Sequence, residues 1–235
     1  MNFPGFAGLI TAVGNLGKLP YTRTQICKRN IHRVTHMTTP VVLASGSEIR
    51  AKLLKNAGVD CEILPARIDE EALRASLEHE GARPRDVADA LAEFKARKIS
   101  QKRPEALVIG CDQVLKFRGE VLSKSESIED ARDQLTKLRG ERHSLLSAVV
   151  TYRNGEPLWR TVGEVHLTMR PFSDVYLNDY LTRNWNSIRH AVGCYKLEEE
   201  GVRLFSKVEG DYFTVLGLPL LDVLNHLTAQ GILDE

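Results

Sequence analysis

The stretch PVVLASGSEIRAKLL, residues 40–54, decides how the rest of the chain is read. Val41, Val42 and Leu43 form an apolar run suited to a buried strand. Ser45, Gly46 and Ser47 then make a small-residue turn, and a helical pattern follows with Arg50 in its first turn. A strand that empties through such a turn into a helix offers unpaired backbone N–H groups and the positive end of the helix dipole. The hydroxyls of Ser45 and Ser47 and the guanidinium of Arg50 add donors at the same point, so the segment is expected to bind phosphate. Ser47 also suits a plain N-cap and Arg50 an exposed helix position; the charged residues further along favour the phosphate site.

Outward from this segment, helix and strand patterns alternate. A helix is predicted over 48–57, ending at Gly58, with a strand over 60–65 and a loop carrying Asp69 and Glu70. Helices over 70–80 and 84–100 are split by Gly81 and Pro84. A short apolar strand over 106–110 is expected to end at Cys111-Asp112-Gln113, before a hairpin turn at Arg118-Gly119. A helix over 127–138, strands over 143–152 and 158–169 around Asn154-Gly155, and helices over 173–183 and 219–230 complete the pattern. Several short strands are expected between the last two helices. This alternation gives an α/β fold, a mixed twisted sheet with flanking helices.

The 235 residues carry 27% charged and 43% hydrophobic side chains and a formal charge of +1, a globular composition. No apolar run approaches the ~18 residues of a membrane span. No basic stripe with interleaved aromatics marks a nucleic-acid surface. Residues 1–47 hold five of the 32 basic residues and no Asp or Glu. Such a basic, acid-free leader resembles a transit peptide, but Met37 stands where a start is plausible, just before the first convincing strand. Residues 1–36 are therefore read as an unstructured or mis-assigned extension and 37–235 as the functional domain. Cys27, Cys61, Cys111 and Cys194 lie far apart with no Cys-x-x-Cys pair, which points to a reducing compartment. His32 and His36 have helical metal spacing but no third ligand. Gly17-Lys18 lacks a P-loop frame, because Ala12 replaces its first glycine and Leu19 its hydroxyl residue.

Asp112 closes an apolar strand, where α/β folds open onto their clefts. With Glu70 it forms a pair of carboxylates suited to a divalent ion, Mg²⁺ or Mn²⁺, bound through oxygen beside a phosphate cradle. A carboxylate there can also take the proton of an attacking water. Lys95 and Lys124 are candidates for positive charge along the phosphates, Lys124 the more so from its place at a turn. Each lysine by itself suits an exposed surface equally well.

These residues sit in a series of motifs: LASGS (43–47), IDE (68–70), LAEFKA (91–96), VIGCDQV (108–114), VLSK (121–124), LRGERHSLLSAV (138–149), GCYKLE (193–198) and GDYFTVLGLPL (210–220). In this order they resemble the Maf-like nucleoside triphosphate pyrophosphatases, from Val41 to Gly231. The resemblance implies a two-lobed, elongated Maf/ITPase-like fold with a central cleft. It implies hydrolysis between the α- and β-phosphates of a nucleotide, with a divalent metal, in a cytoplasmic homodimer with a house-cleaning role. Matched position by position, the proton acceptor falls on Asp112, the phosphate-binding residues on Ser45 and Arg50, the acidic loop residue on Glu70, and the two lysines on Lys95 and Lys124. The chain departs from the family at Ser47-Glu48, where Ser-Pro is usual, and at Ser123-Lys124-Ser125, where Gly-Lys-Pro is usual.

On the positions that divide the family, Ile49, Gln113 and Glu198 resemble the 7-methyl-GTP group. A carboxylate at Glu198 can accept from guanine N1–H and N2–H₂, and Ile49 leaves an apolar wall where an arginine would repel a cationic base. Glu198 can also simply pair with Lys196 at the surface. Tyr195 and Phe213 are candidates to stack on the base. The alternatives are a dTTP/UTP or broad-specificity pyrophosphatase and a non-catalytic nucleotide-binding regulator of septum formation.

Overall fold

The computed structural model describes residues 39–234. The expectations for residues 1–36, for His32 and His36 and for Cys27 lie outside the described residues. Seven strands form one mixed sheet: β1 (Val41–Leu43), β2 (Glu62–Ile63), β3 (Leu107–Phe117), β4 (Glu120–Leu122), β5 (Arg142–Arg153), β6 (Glu156–Met169) and β7 (Phe205–Glu209). Their order is β2-β1-β3-β5-β6-β7, with β4 also on β3. Strand β1 runs parallel to β2 and β3, and every other pairing is antiparallel. The helices are α1 (Glu48–Asn56), α2 (Glu70–His79), α3 (Pro84–Ser100), α4 (Ile128–Leu138), α5 (Asp174–Ile188), α6 (Tyr212–Val215) and α7 (Leu220–Ala229).

The turns form where the chain supplies residues that tolerate a left-handed backbone. Arg118-Gly119 and Asn154-Gly155 both adopt positive φ, as tight hairpins between twisted strands require. Helix α4 opens on a reciprocal capping box between Ser127 and Asp130. Period-two alternation in β3 sends Leu107, Ile109 and Cys111 into a cluster with Leu53, Leu54, Val223 and Leu227 of α1 and α7. Val108 and Val114 face the opposite way, onto Val87, Leu91 and Ala92 of α3. A third cluster gathers Leu115 and Phe117 with Leu135, Leu138, Leu177 and Tyr180 of α4 and α5.

Three expectations are corrected. The strand over 60–65 shrinks to an exposed pair at the sheet edge, Glu62–Ile63, because it has only β1 to pair with. The segment after α5 holds two 3₁₀ turns, Val192–Cys194 and Glu200–Leu204, and only one strand, β7, instead of several. Strand β3 does not end at Cys111-Asp112-Gln113; it continues to Phe117. Its polar residues break the apolar pattern in sequence yet are satisfied in place. Gln113 bonds across the fold and Lys116 pairs with Glu164 at 2.7 Å.

The long β3 has a further consequence. One of its edges pairs with β5 continuously from Val108 to Lys116. The other pairs with β1 at 107–109 and with β4 at 115–117, leaving 110–114 unpaired between them. The sheet is split at Asp112.

Candidate active site

Arg50 enters this split and takes over part of the missing strand's work. Its guanidinium donates to the Cys111 carbonyl at 3.2 Å, to Ser45 Oγ at 3.1 Å and, through Nε, to the Gly217 carbonyl at 2.8 Å. One side chain thus ties the β1–α1 turn to the backbone beside Asp112 and to the turn before α7. Gly217 has φ +92, and a Cβ there would meet the guanidinium at 3.0 Å. The position combines a left-handed backbone with a close approach, and both require glycine. Arg50 is therefore not a free surface helix residue.

Ser47 occupies the N-cap position of α1, but its side chain makes no capping bond; its backbone N–H donates instead to Ser45 Oγ at 3.3 Å. The plain N-cap role is not realised, and the hydroxyl stays available at the helix start. Glu48 stands in the first turn, where a carboxylate suits the helix dipole.

Opposite the turn lies a chain of alternating charges. Lys95, projecting from α3, is 6% exposed and Asp112 7%. Lys95 Nζ is 2.6 Å from Asp112 Oδ1 and 2.8 Å from Glu70 Oε1, and Lys124 Nζ is 3.8 Å from Glu70 Oε2. Sequence favoured Lys124 over Lys95; the structure reverses that order, for Lys95 is the buried bridge while Lys124 is half exposed. Glu70 is not in a loop. It is the first residue of α2, whose N-cap is Asp69, accepting from the Ala72 N–H at 3.0 Å. Burial opposes ionisation of Glu70, but the charge and hydrogen bond of Lys95, with Lys124 and Arg50, hold its carboxyl below the usual range. Burial pushes the Cys111 thiol up to about 11, so this cysteine serves through its carbonyl.

Asp112 reaches α3 because the helix lies close to β3. A Cβ on Gly110 would come within 2.2 Å of the Ala92 carbonyl and 2.7 Å of Ala96 Cβ. Gln113, on the opposite face, has Nε2 at 2.9 Å from Ser147 Oγ and at 3.2 and 3.0 Å from the carbonyls of Thr214 and Val215.

All these groups line one cavity of about 920 Å³, with Ile49, Lys52 and Glu198. The catalytic, phosphate-binding and specificity candidates are therefore gathered in one place. Of the two base-stacking candidates, Tyr195 also lines the cavity, but it is 4% exposed, with its hydroxyl 2.7 Å from His143 Nε2 and its ring edge-on to Phe205. Phe213 packs against the α1–α7 core. The alternative Lys196–Glu198 pair does not form, since Lys196 is 3.1 Å from Glu199 and 2.7 Å from Ser187. Sequence reading missed Asn186, Ser187 and His190, which line the same wall from the C-terminal end of α5.

No group of three His, Cys, Asp or Glu gathers among the described residues. Glu70 and Asp112 are two hard oxygen donors at the cavity. Hard oxygen donors are the type that Mg²⁺ and Mn²⁺ take alongside substrate phosphates and water, and the Lys95 ammonium stands between the two carboxylates. No helix among the described residues is long and apolar enough to cross a membrane.

The model of the Maf-like protein family matches residues 40–230. The chain belongs to the Maf-like family. A nucleoside triphosphate pyrophosphatase of Ruegeria sp. (strain TM1040) is 59% identical over 199 residues, covering 85% of this chain and all of that protein. One of Caulobacter vibrioides is 52% identical, covering 83% of this chain and 98% of the relative. A 7-methyl-GTP pyrophosphatase of Mesorhizobium japonicum is 46% identical over 198 residues, covering 84% of this chain and all of its own.

Proposed function

We propose that this protein is a nucleoside triphosphate pyrophosphatase that hydrolyses a nucleotide to its monophosphate and pyrophosphate. One observation carries the reading: Arg50 spans from the Ser45 hydroxyl to the carbonyl next to Asp112, so the anion cradle and the carboxylate face one cavity. The names of relatives up to 61% identical support the same activity.

In this reading Ser45, Ser47, Arg50 and the N-terminal N–H groups of α1 hold the phosphates, with Lys124 further along them. Lys95 occupies Asp112 Oδ1, which leaves the other oxygen to take a proton from water. That water attacks phosphorus at the α–β anhydride, the P–O bond breaks, and pyrophosphate departs with the bridging oxygen. Asp112 thus acts as general base, and Lys95 orients it. Glu70 holds Lys95 from the other side. Glu70 and Asp112 are the candidate ligands of a Mg²⁺ or Mn²⁺ ion; with Asp112 engaged by Lys95 and by the water, Glu70 would be its main protein ligand, and the ion would polarise the phosphates and neutralise their charge.

The reading extends to a modified purine, 7-methyl-GTP first. Glu198 and Ile49 line the cavity, and Glu198 has no ion-pair partner among the described residues. A free carboxylate and an apolar wall suit the donor edge and positive charge of a methylated guanine. The names of relatives in Mesorhizobium japonicum and Brucella abortus support it at 46% identity. The free thiols Cys61, Cys111 and Cys194 support a reducing, cytoplasmic setting, and a homodimer is part of the same proposal.

Chromatographic analysis of products from 7-methyl-GTP, GTP, dTTP and UTP tests the reading. Pyrophosphate and monophosphate are expected, formed fastest from 7-methyl-GTP. Release of orthophosphate, or turnover of none of the four, would overturn it.

A further inference from the structure

The wall that carries Glu198 is irregular chain, yet it is tied at several points. Ser187, one residue from the end of α5, has its Oγ 2.9 and 2.6 Å from the two carboxylate oxygens of Glu199. Lys196 Nζ donates to the same Oγ at 2.7 Å and reaches Glu199 Oε1 at 3.1 Å. One end of the segment is fixed by the buried Tyr195 on His143. At the other end Gly201 lies so close to the Lys196 backbone that a Cβ would meet its oxygen at 2.5 Å and its nitrogen at 2.6 Å. Glu198 sits between these ties, exposed and lining the cavity.

We infer that Ser187, Lys196 and Glu199 form a lock that positions Glu198 for recognition of a donor-bearing, cationic purine base. The inference rests on the proposed nucleotide reading and adds the device that sets its base preference. Two physical effects follow from the lock. It fixes the loop to α5, so the carboxylate at 198 is held before ligand arrives and less ordering accompanies binding. It also engages the Lys196 ammonium with Glu199. Lys196 is only two residues from Glu198 in the chain; held on Glu199 and Ser187, it forms no ion pair with the carboxylate at 198. Ser187 is a positioning residue, because it acts on the base only through Glu198.

Calorimetric titration with 7-methyl-GMP, GMP, UMP and pyrophosphate, none of which requires turnover, tests the lock. The wild type is expected to prefer 7-methyl-GMP over UMP, and Glu198→Gln to lose at least tenfold of that preference. Ser187→Ala should lose about three- to tenfold of it, and Ser187→Thr, which keeps the hydroxyl, should restore most of it. Pyrophosphate affinity should stay within about twofold in all three variants, since the cradle at Arg50 lies on other elements. The lock is overturned if Ser187→Ala keeps the wild-type preference, if it loses pyrophosphate affinity in parallel, or if the wild type shows no base preference. The last outcome leaves triphosphate hydrolysis standing; absence of pyrophosphate release from any triphosphate would overturn that activity and not the lock.

Discussion

Lys95 governs the charge balance of the cleft, because a single buried ammonium serves two carboxylates. Removing one partner of a buried ion pair costs about 3–5 kcal/mol, since the remaining charge is left uncompensated. Lys95→Met should therefore destabilise the fold by roughly that amount, read as a fall in urea midpoint. Adding Asp112→Asn to Lys95→Met should recover part of the loss, because the buried carboxylate goes with its ammonium and only the partly exposed Glu70 is left without its partner. An additive double variant would contradict the ion-pair account. Glu70 gives a pH signature. Its folded carboxyl titrates below the ordinary 4.5, so its contribution is complete above that value and is lost as pH falls through the depressed one. Acid titration of stability should show this loss below about pH 4.5 in the wild type, and a shallower one in Glu70→Gln.

At the scale of elements, the contact of α3 with β3 sets the reach of Lys95 to Asp112. The bare α-carbon of Gly110 lets the helix lie against the strand, with the Ala92 carbonyl where a Cβ would be. Gly110→Ala forces the two apart, and overpacking of a close core costs about 1–3 kcal/mol or more. For a domain near 200 residues this corresponds to a Tm lowered by about 2–4 °C per kcal/mol. Activity should fall with it, because Asp112 lies two residues further on. A thermal melt with parallel turnover measurement checks both; unchanged Tm and activity would show that α3 approaches β3 less closely.

Across the whole molecule, what was legible in sequence was local. Val41–Leu43, the positive-φ hairpin residues and the helices with their caps follow from periodicity and turn chemistry. The site residues were legible as a set because the family motifs carry them. The split in the sheet was not, since pairing of β3 with β1, β4 and β5 joins residues far apart in the chain. Burial of Lys95 was hidden for the same reason: a lysine on a helix reads as exposed until a strand carboxylate is placed beside it. Ser187 carried no signal at all, because its partners lie on an irregular segment nine and twelve residues away. Tyr195 was legible as a residue of the cavity wall but not as an anchor: its hydroxyl bond to His143 ties the loop to the core.

The central claim is that Asp112, facing the Arg50 cradle, takes the proton of the attacking water. Pyrophosphate release from 7-methyl-GTP by the wild type and by Asp112→Asn, at equal folded concentration, measures it directly. General-base loss predicts a fall in kcat of about 10²–10⁴-fold with little change in KM. Turnover by the variant at the wild-type rate would contradict it.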